Sequence, residues 1–215
     1  MKNLVVTGTD TGVGKTVAAA MLTLVLGGIY WKPIQAGGEH RTDTEAVAAL
    51  TGLPASHFLR ERYVLKAPLS PHLAAEAEGV EIDPEQLVLP EAGPAGQWLI
   101  VEGAGGLMVP ITRNLLQIDL FARWRAPVVL CARTTLGTIN HCLLSIEALR
   151  RRDIPVLGIV FVGDEMAESE RTISETANVR RLGRLPAMKE LDAEVLREAF
   201  AAQFDRRDFE AAHAG

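Results

Sequence analysis

GTDTGVGKT occupies residues 8–16, after a strand-like run at residues 3–6, and leads into an apolar helical pattern at residues 15–26. A strand, a glycine-rich turn and a helix in this order are typical of the loop that binds nucleotide phosphates. The glycines leave backbone N–H groups free to point at an anion, and the helix start adds positive partial charge. The stretch therefore predicts a site for a nucleoside triphosphate.

Two side chains of this stretch suit a phosphate group bound together with Mg²⁺. Lys15 can reach the β- and γ-phosphates, and the Thr16 hydroxyl can ligate the metal. The spacing departs from the usual pattern at one point, since Thr9 takes the first glycine position and Gly8 stands one residue early. A surface turn with an exposed lysine is the plainer alternative, but the order of strand, turn and helix favours the phosphate site.

Apolar runs alternate with helical patterns along the chain, which predicts an α/β fold. The chain has 215 residues, 48% hydrophobic and 23% charged, and this length fits a single domain over residues 1–215. We expect a P-loop NTPase-like fold with a mainly parallel sheet and helices on both faces. The predicted strands are residues 3–6, 29–31, 98–101, 128–131 and 157–162, and the predicted helices are residues 15–26, 43–50, 115–124, 138–151, 169–180 and 192–212.

The charge and apolar content argue against some classes of partner. A net charge of −5 disfavours general binding to nucleic acid or to an anionic membrane. The longest apolar stretch, residues 18–26, is shorter than the roughly 20 residues of a membrane span. Cys131 and Cys142 lack the spacing of metal ligands, so we expect reduced, buried thiols in a cytoplasmic protein.

Two carboxylates are candidate ligands for Mg²⁺, which prefers hard oxygen donors. Glu102 directly follows the apolar run at residues 98–101 and precedes a glycine-rich turn at residues 103–106. Packing explains an acid at that position poorly. Asp43 follows the loop at residues 36–42, where it is either a metal ligand or an ordinary acid in the first turn of a helix.

Five stretches together resemble the dethiobiotin synthetases. They are residues 8–16 (GTDTGVGKT), 31–34 (WKPI), 70–72 (SPH), 101–106 (VEGAGG) and 136–141 (LGTINH). The resemblance implies an ATP-dependent reaction of biotin biosynthesis that joins 7,8-diaminononanoate and CO₂ into the cyclic urea of dethiobiotin, releasing ADP and phosphate. It also implies Mg²⁺ as the cofactor and a homodimer with the active site at the subunit interface.

The resemblance assigns roles to the residues that match the family's motifs, with Lys32 expected to stabilise a carbamate and the transferring phosphoryl oxygens. The expected catalytic residues are Lys32, Lys15 and Thr11, and the expected metal ligands are Thr16, Asp43 and Glu102. The expected nucleotide-binding residues are Gly12, Val13, Gly14, Lys15, Thr16, Val17, Asp43, Glu102, Gly103, Ala104, Gly105, Val162, Gly163, Pro186, Ala187 and Met188. The expected substrate-binding residues are Ala36 and, from the neighbouring subunit, Gly137, Thr138, Ile139 and Asn140.

The sequence departs from the family pattern at two binding positions, and one matching residue has no assigned role. Ala36 replaces a hydroxyl residue that contacts substrate, and losing one neutral hydrogen bond costs about 1 kcal/mol. Val162 stands where many members read adenine with an asparagine, so we expect weak discrimination among nucleotide bases. His72 matches the family pattern without a role that the sequence defines.

Two other classes share this style of loop. The glutamine-dependent cobyrinate amidases need an additional domain with a nucleophilic cysteine, for which 215 residues leave no room. The partition and septum-positioning ATPases carry a signature lysine where this chain has Asp10. Residues 205–215 are also mixed in charge and suit anionic lipid poorly. The partition-type ATPase switch remains the alternative function.

Overall fold

A parallel sheet carries the apolar runs of the sequence as its buried strands. In the computed structural model, which describes residues 1–39, 41–91 and 93–210, helices cover both faces of this sheet. The strands are β1 (Lys2–Gly8), β2 (Ile29–Trp31), β3 (Ile34–Ala36), β4 (Phe58–Leu59), β5 (Tyr63–Leu65), β6 (Trp98–Gly106), β7 (Pro110–Thr112), β8 (Leu115–Leu116), β9 (Val128–Arg133), β10 (Val156–Val162) and β11 (Arg181–Leu185). The helices are α1 (Lys15–Leu26), α2 (Asp43–Thr51), α3 (Pro71–Glu78), α4 (Gln117–Trp124), α5 (Thr138–Arg150), α6 (Ala167–Thr176), α7 (Ala193–Gln203) and α8 (Arg206–Glu210).

The strand order across the main sheet is β11-β10-β9-β1-β6-β2-β4, and every pairing in it is parallel. β1 lies between β6 and β9, so the chain leaves β1 in the middle of the sheet, beside the carboxyl ends of both neighbours. Parallel sheets bind ligands at this edge, where the strand order reverses. The topology therefore places the loop at residues 9–14 in the expected crevice.

Alternating side chains of β1 build a core on each face of the sheet. Leu4 and Val6 pack in the cluster that contains α1, whereas Val5 packs with Phe121 of α4 on the opposite face. All four side chains are fully buried. The period of two expected for a strand that is buried on both faces thus explains why residues 4–6 are all apolar.

Helix α2 begins at Asp43 because the preceding residues form a capping box. The Thr42 hydroxyl accepts a hydrogen bond from the Glu45 N–H at 3.1 Å, and the Glu45 carboxylate accepts one from the Thr42 N–H at 2.8 Å. These two bonds satisfy backbone donors that a helix start leaves unpaired. Asp43 is thereby fixed as the first residue of the helix.

The C-terminal part differs from the prediction at two places. The predicted helix at residues 169–180 ends at Thr176, and β11 follows, with Leu182 and Leu185 buried between more polar positions. The sequence analysis assigned no element to residues 181–185, because Arg181 and Arg184 interrupt the short apolar pattern of this strand. The predicted helix at residues 192–212 is two helices, because Phe204 turns extended and stacks on Phe200 at 5.5 Å. Residues 211 and 212 lie outside the described residues.

The N-terminal and central parts fit the prediction more closely. The second strand spans Ile29–Trp31, the residues predicted for it. The strand predicted at residues 98–101 continues to Gly106, so residues 103–106 are the end of β6 and not a turn. The helix predicted from residue 115 begins at Gln117, since Leu115–Leu116 pair with β7. Helix α3 was not predicted from the sequence. Within the described ranges, none of the helices has both the length and the apolar character to cross a membrane.

A substitution at Phe209 tests whether α8 packs against the hydrophobic core. Its side chain is 0% exposed, and its ring lies 5.9 Å from that of Phe200. Phe209→Ala should lower the free energy of unfolding by about 3–5 kcal/mol, because it leaves a cavity. Val88→Ala, at a residue 57% exposed, should change it by less than about 0.5 kcal/mol. Urea unfolding measures both, and equal effects of the two substitutions would contradict the assignment.

Candidate active site

The glycines of the loop at residues 8–16 are required by close packing. A Cβ atom on Gly8 would lie 2.5 Å from Val13 Cγ2, so the loop can fold back over the strand end only at a glycine. Gly14 caps α1 with a φ of +91°, and a Cβ there would lie 2.9 Å from Val162 Cγ1. The early position of Gly8 is thus explained by packing within the loop.

Lys15 lies over this loop in a position where a phosphate can reach it. Its Nζ donates to the main-chain oxygen of Asp10 at 2.9 Å. Burial lowers the pKa of its ammonium, and the charge of Glu102 opposes that effect. Because its hydrogen-bond partner is a neutral carbonyl, an anion can take over that partner's place with a gain in electrostatic energy.

A buried cluster of one lysine and two carboxylates lies beside the loop. Lys32, which follows β2, donates to Asp43 Oδ2 and to Glu102 Oε1, the latter at 3.0 Å. The Thr16 hydroxyl donates to the same Glu102 oxygen at 2.9 Å. The fold therefore brings together all three predicted metal ligands and the predicted catalytic lysine.

The cluster keeps Lys32 positively charged although its side chain is buried. Burial alone would lower the pKa of the ammonium, but the negative charges of Glu102 and Asp43 and their hydrogen bonds outweigh it, so the pKa is raised. A charged lysine in a site with little water is an effective stabiliser of developing negative charge.

Three further residues shape the site and were not singled out from the sequence. Tyr30 donates from its hydroxyl to Glu102 Oε2 at 2.8 Å, and burial raises the pKa of this phenol well above its ordinary value. Gln35 Oε1 accepts from the Asp43 N–H at 2.9 Å. Arg133, at the end of β9, donates to the main-chain oxygen of Thr11 at 2.7 Å. Tyr30 lies in an apolar run, so its sequence context predicts only that the side chain packs in the core.

A cavity of about 800 Å³ opens over this cluster. It is also lined by Pro68, Leu69, Ser70 and Pro71, which lie in and next to the SPH stretch. His72 does not line the cavity itself, but its Nδ1 lies 3.1 Å from the Oγ of Ser70 in this wall. The predicted site residues that line the cavity are Thr11, Gly12, Gly14, Lys15, Thr16, Val17, Lys32, Ala36, Asp43, Glu102, Ala104 and Gly105.

The other predicted residues lie outside the lining of this cavity. Two of them, Val13 and Gly103, are buried beneath it. A second set lies at or just after the ends of β10 and β11, at Val162, Gly163, Pro186, Ala187 and Met188. The third set is the start of α5, where Gly137 is the N-cap and is followed by Thr138, Ile139 and Asn140.

The donor set of the cluster suits Mg²⁺. Thr16, Asp43 and Glu102 offer only oxygen atoms, and the Lys32 ammonium between the two carboxylates shows that a cation is stabilised there. In the described part of the chain, no three His, Cys, Asp or Glu residues group as metal ligands. Mg²⁺ needs no such cage, since it commonly uses one or two carboxylates together with waters and substrate phosphates.

Known proteins with similar sequences identify the family. ATP-dependent dethiobiotin synthetase BioD of Rhodopseudomonas palustris strain HaA2 is 62% identical over 209 residues, which are 97% of this chain and 96% of that protein. The enzyme of the same name from strain BisB5 is 62% identical over 207 residues, 96% of each chain. The chain belongs to the dethiobiotin synthetase family. A family model described as an AAA domain also matches residues 2–195.

Solved structures show how this member of the dethiobiotin synthetase family is related in fold. The cell division ATPase MinD of Pyrococcus furiosus superposes with a TM-score of 0.55 and 13% identity, over 94% of this chain and 99% of that one. At this identity the likeness shows the shared P-loop NTPase fold alone. The partition-type alternative is not favoured, because the relatives at high identity are dethiobiotin synthetases.

Lys32→Met tests the energetics of the cluster. The substitution leaves Glu102 buried without its cation, so the free energy of unfolding at pH 7 should fall by about 3 kcal/mol. Because folding raises the pKa of Lys32, its contribution is fully present below the ordinary value of 10.5 and is lost as the pH rises through the higher folded value. The loss should therefore persist at about pH 9 and shrink only above 10.5.

Urea unfolding of both proteins across this pH range measures the effect. Lys66→Met, at an exposed lysine, is the matched control and should stay within about 0.5 kcal/mol of the parent. A loss at Lys32 that is no larger than this control, or that disappears by about pH 9, would contradict the ion-pair account.

Proposed function

We propose that this chain is an ATP-dependent dethiobiotin synthetase. In this proposal it joins 7,8-diaminononanoate and CO₂ into dethiobiotin, with ATP converted to ADP and phosphate. The observation that carries the proposal is the buried, charged Lys32 between Asp43 and Glu102, in one cavity with the phosphate-binding loop. Membership of the dethiobiotin synthetase family supports it.

The loop would bind the triphosphate. The backbone N–H groups at the start of α1 would donate to the phosphate oxygens, and the helix dipole favours negative charge there. Lys15 would exchange the Asp10 carbonyl for a phosphate oxygen. Thr16, Asp43 and Glu102 would hold Mg²⁺, which when bound would neutralise charge on the β- and γ-phosphates.

Lys32 would act on the reacting groups. One amine of the substrate captures CO₂ and releases a proton, giving a carbamate whose oxygen attacks the γ-phosphorus and displaces ADP. The second amine then attacks the carbamate carbon, the carbon–oxygen bond to phosphate breaks as the ring closes, and the amine's proton leaves with the phosphate. The Lys32 ammonium would stabilise the carbamate and the transferring oxygens, and Thr11 in the loop would donate a hydrogen bond nearby.

The second anion site would come from another copy of the chain. The start of α5, at Gly137–Asn140, would offer first-turn backbone N–H groups to the substrate carboxylate, although the Thr138 N–H donates to the Thr135 main-chain oxygen at 3.2 Å in this structure. It does not line the cavity of its own chain, and Leu136 beside it is fully exposed. Both observations support a homodimer whose active sites lie at the subunit interface. We place this enzyme in the cytoplasm, in keeping with two free, buried cysteines.

Formation of dethiobiotin is the direct test of the proposal. Purified protein is incubated with ATP, Mg²⁺, bicarbonate and 7,8-diaminononanoate, and the product is measured by mass. Lys32→Ala should lower kcat by about 10²–10³-fold, because it removes the cation that stabilises the developing charge. Lys66→Ala at an exposed lysine should leave kcat unchanged. Absence of product, with ATP-dependent sedimentation on DNA or liposomes instead, would favour the partition-type ATPase.

Base preference is tested by steady-state rates with ATP, CTP and GTP. Val162 cannot pair with the edge of a base, so kcat/KM for the three nucleotides should agree within about tenfold. Val162→Asn should raise the preference for ATP. A parent enzyme that strongly prefers ATP would show that other groups read the base.

A further inference from the structure

We propose that Tyr30 is a positioning residue for the metal-binding carboxylate. In this proposal its hydroxyl holds one oxygen of Glu102, so that the other oxygen is presented to Thr16 and to Mg²⁺. The inference rests on the proposed function in taking Glu102 as a metal ligand. It adds a residue that binds neither the nucleotide nor the substrate.

The two oxygens of Glu102 have different partners. Oε2 accepts a hydrogen bond from the Tyr30 hydroxyl at 2.8 Å. Oε1 accepts from the Thr16 hydroxyl at 2.9 Å and from the Lys32 ammonium at 3.0 Å. An ionised carboxylate can only accept, so the phenol is the donor. Tyr30 therefore fixes Oε2 on the core side of the carboxylate, while Oε1 faces the active site.

The sheet explains how Tyr30 reaches Glu102. Tyr30 pairs with Ile100 in the parallel register of β2 and β6, and both belong to the core cluster that contains α1. Glu102 lies two residues beyond Ile100, so its side chain leaves the same face of the sheet. Tyr30 is 0% exposed and Glu102 is 1% exposed. The aromatic ring is packed in the core, which fixes the position of its hydroxyl.

Packing alone does not account for this hydroxyl. A phenylalanine would fill the same space in an apolar cluster, and a buried phenol needs a hydrogen-bond partner. Within the described residues, the hydrogen bond found for the Tyr30 hydroxyl is the one to Glu102. The polar atom is thus explained by the carboxylate that it supports.

The arrangement separates a fixed contact from an exchangeable one. With Oε2 held by Tyr30, Glu102 can exchange the Lys32 ammonium for Mg²⁺ at Oε1 without rotating its carboxylate. Groups that orient a metal ligand in this way commonly affect metal affinity or activity by about 10–100-fold. The Lys32 ammonium is then free to move toward the reacting groups.

Tyr30→Phe removes the hydroxyl and keeps the ring. Calorimetry measures the Kd of a non-hydrolysable ATP analogue, once with EDTA and once with Mg²⁺. In EDTA, the variant should bind like the parent, since the loop at residues 8–16 is unaffected. The gain in affinity on adding Mg²⁺ should be about tenfold smaller in the variant, and the Mg²⁺ concentration for half-maximal rate should rise by a similar factor.

Tyr63→Phe is the matched control. Its hydroxyl accepts a hydrogen bond from the Asp83 N–H at 2.9 Å, and Tyr63 does not line the cavity, so this variant should keep the full Mg²⁺ gain. If Tyr30→Phe keeps the full gain in affinity on adding Mg²⁺, the inference about Tyr30 is overturned, but the proposed function is not. Equal weakening in EDTA and in Mg²⁺ would also overturn the inference, because it would indicate a general structural role. Absence of any Mg²⁺ gain in the parent would overturn the metal assignment and this inference together.

Discussion

Glu102 is a carboxylate buried within the central strand β6, and the active site is arranged around the need to compensate its charge. An unpaired charge at that depth would cost several kcal/mol. The Lys32 ammonium supplies the charge compensation, while Thr16 and Tyr30 supply hydrogen bonds to the two oxygens. The same requirement makes the position suitable for a metal ion, because a divalent cation can replace the ammonium without leaving the carboxylate unpaired.

Separate elements converge on this carboxylate because their strands are parallel. β1, β2 and β6 end at the same edge, which places Thr16, Lys32 and Glu102 within hydrogen-bonding distance although they are far apart in sequence. Asp43 arrives differently, through the capping box that starts α2 and the hydrogen bond from its N–H to Gln35. Asp43 is therefore positioned by the local sequence that starts α2, whereas Thr16 and Glu102 are positioned by the parallel strands of the sheet.

The sequence was sufficient for features whose signal is local or periodic. The continuous apolar runs and the loop at residues 8–16 predicted the parallel sheet and its crevice. The position of Glu102 after an apolar run pointed to a functional acid, a candidate metal ligand, without indicating that it would be buried. The role of Tyr30 could not be predicted, because an aromatic residue in an apolar run is expected in any core. β11 was missed because its two leucines, Leu182 and Leu185, are three residues apart and lie among arginines, so the sequence shows no period of two there. Its pairing with β10 also contains a register irregularity, which the sequence does not indicate.

The contact between Val162 and Gly14 ties two parts of nucleotide recognition together. A Cβ at Gly14 would lie 2.9 Å from Val162, so the side chain at the proposed base position also serves as a wall of the phosphate-binding loop. A bulkier residue introduced at position 162 to select a base would press on the backbone that holds the phosphates. Changes in base selectivity in this enzyme would then come with changes in phosphate affinity, and evolution or engineering would have to alter both sides of the contact at once.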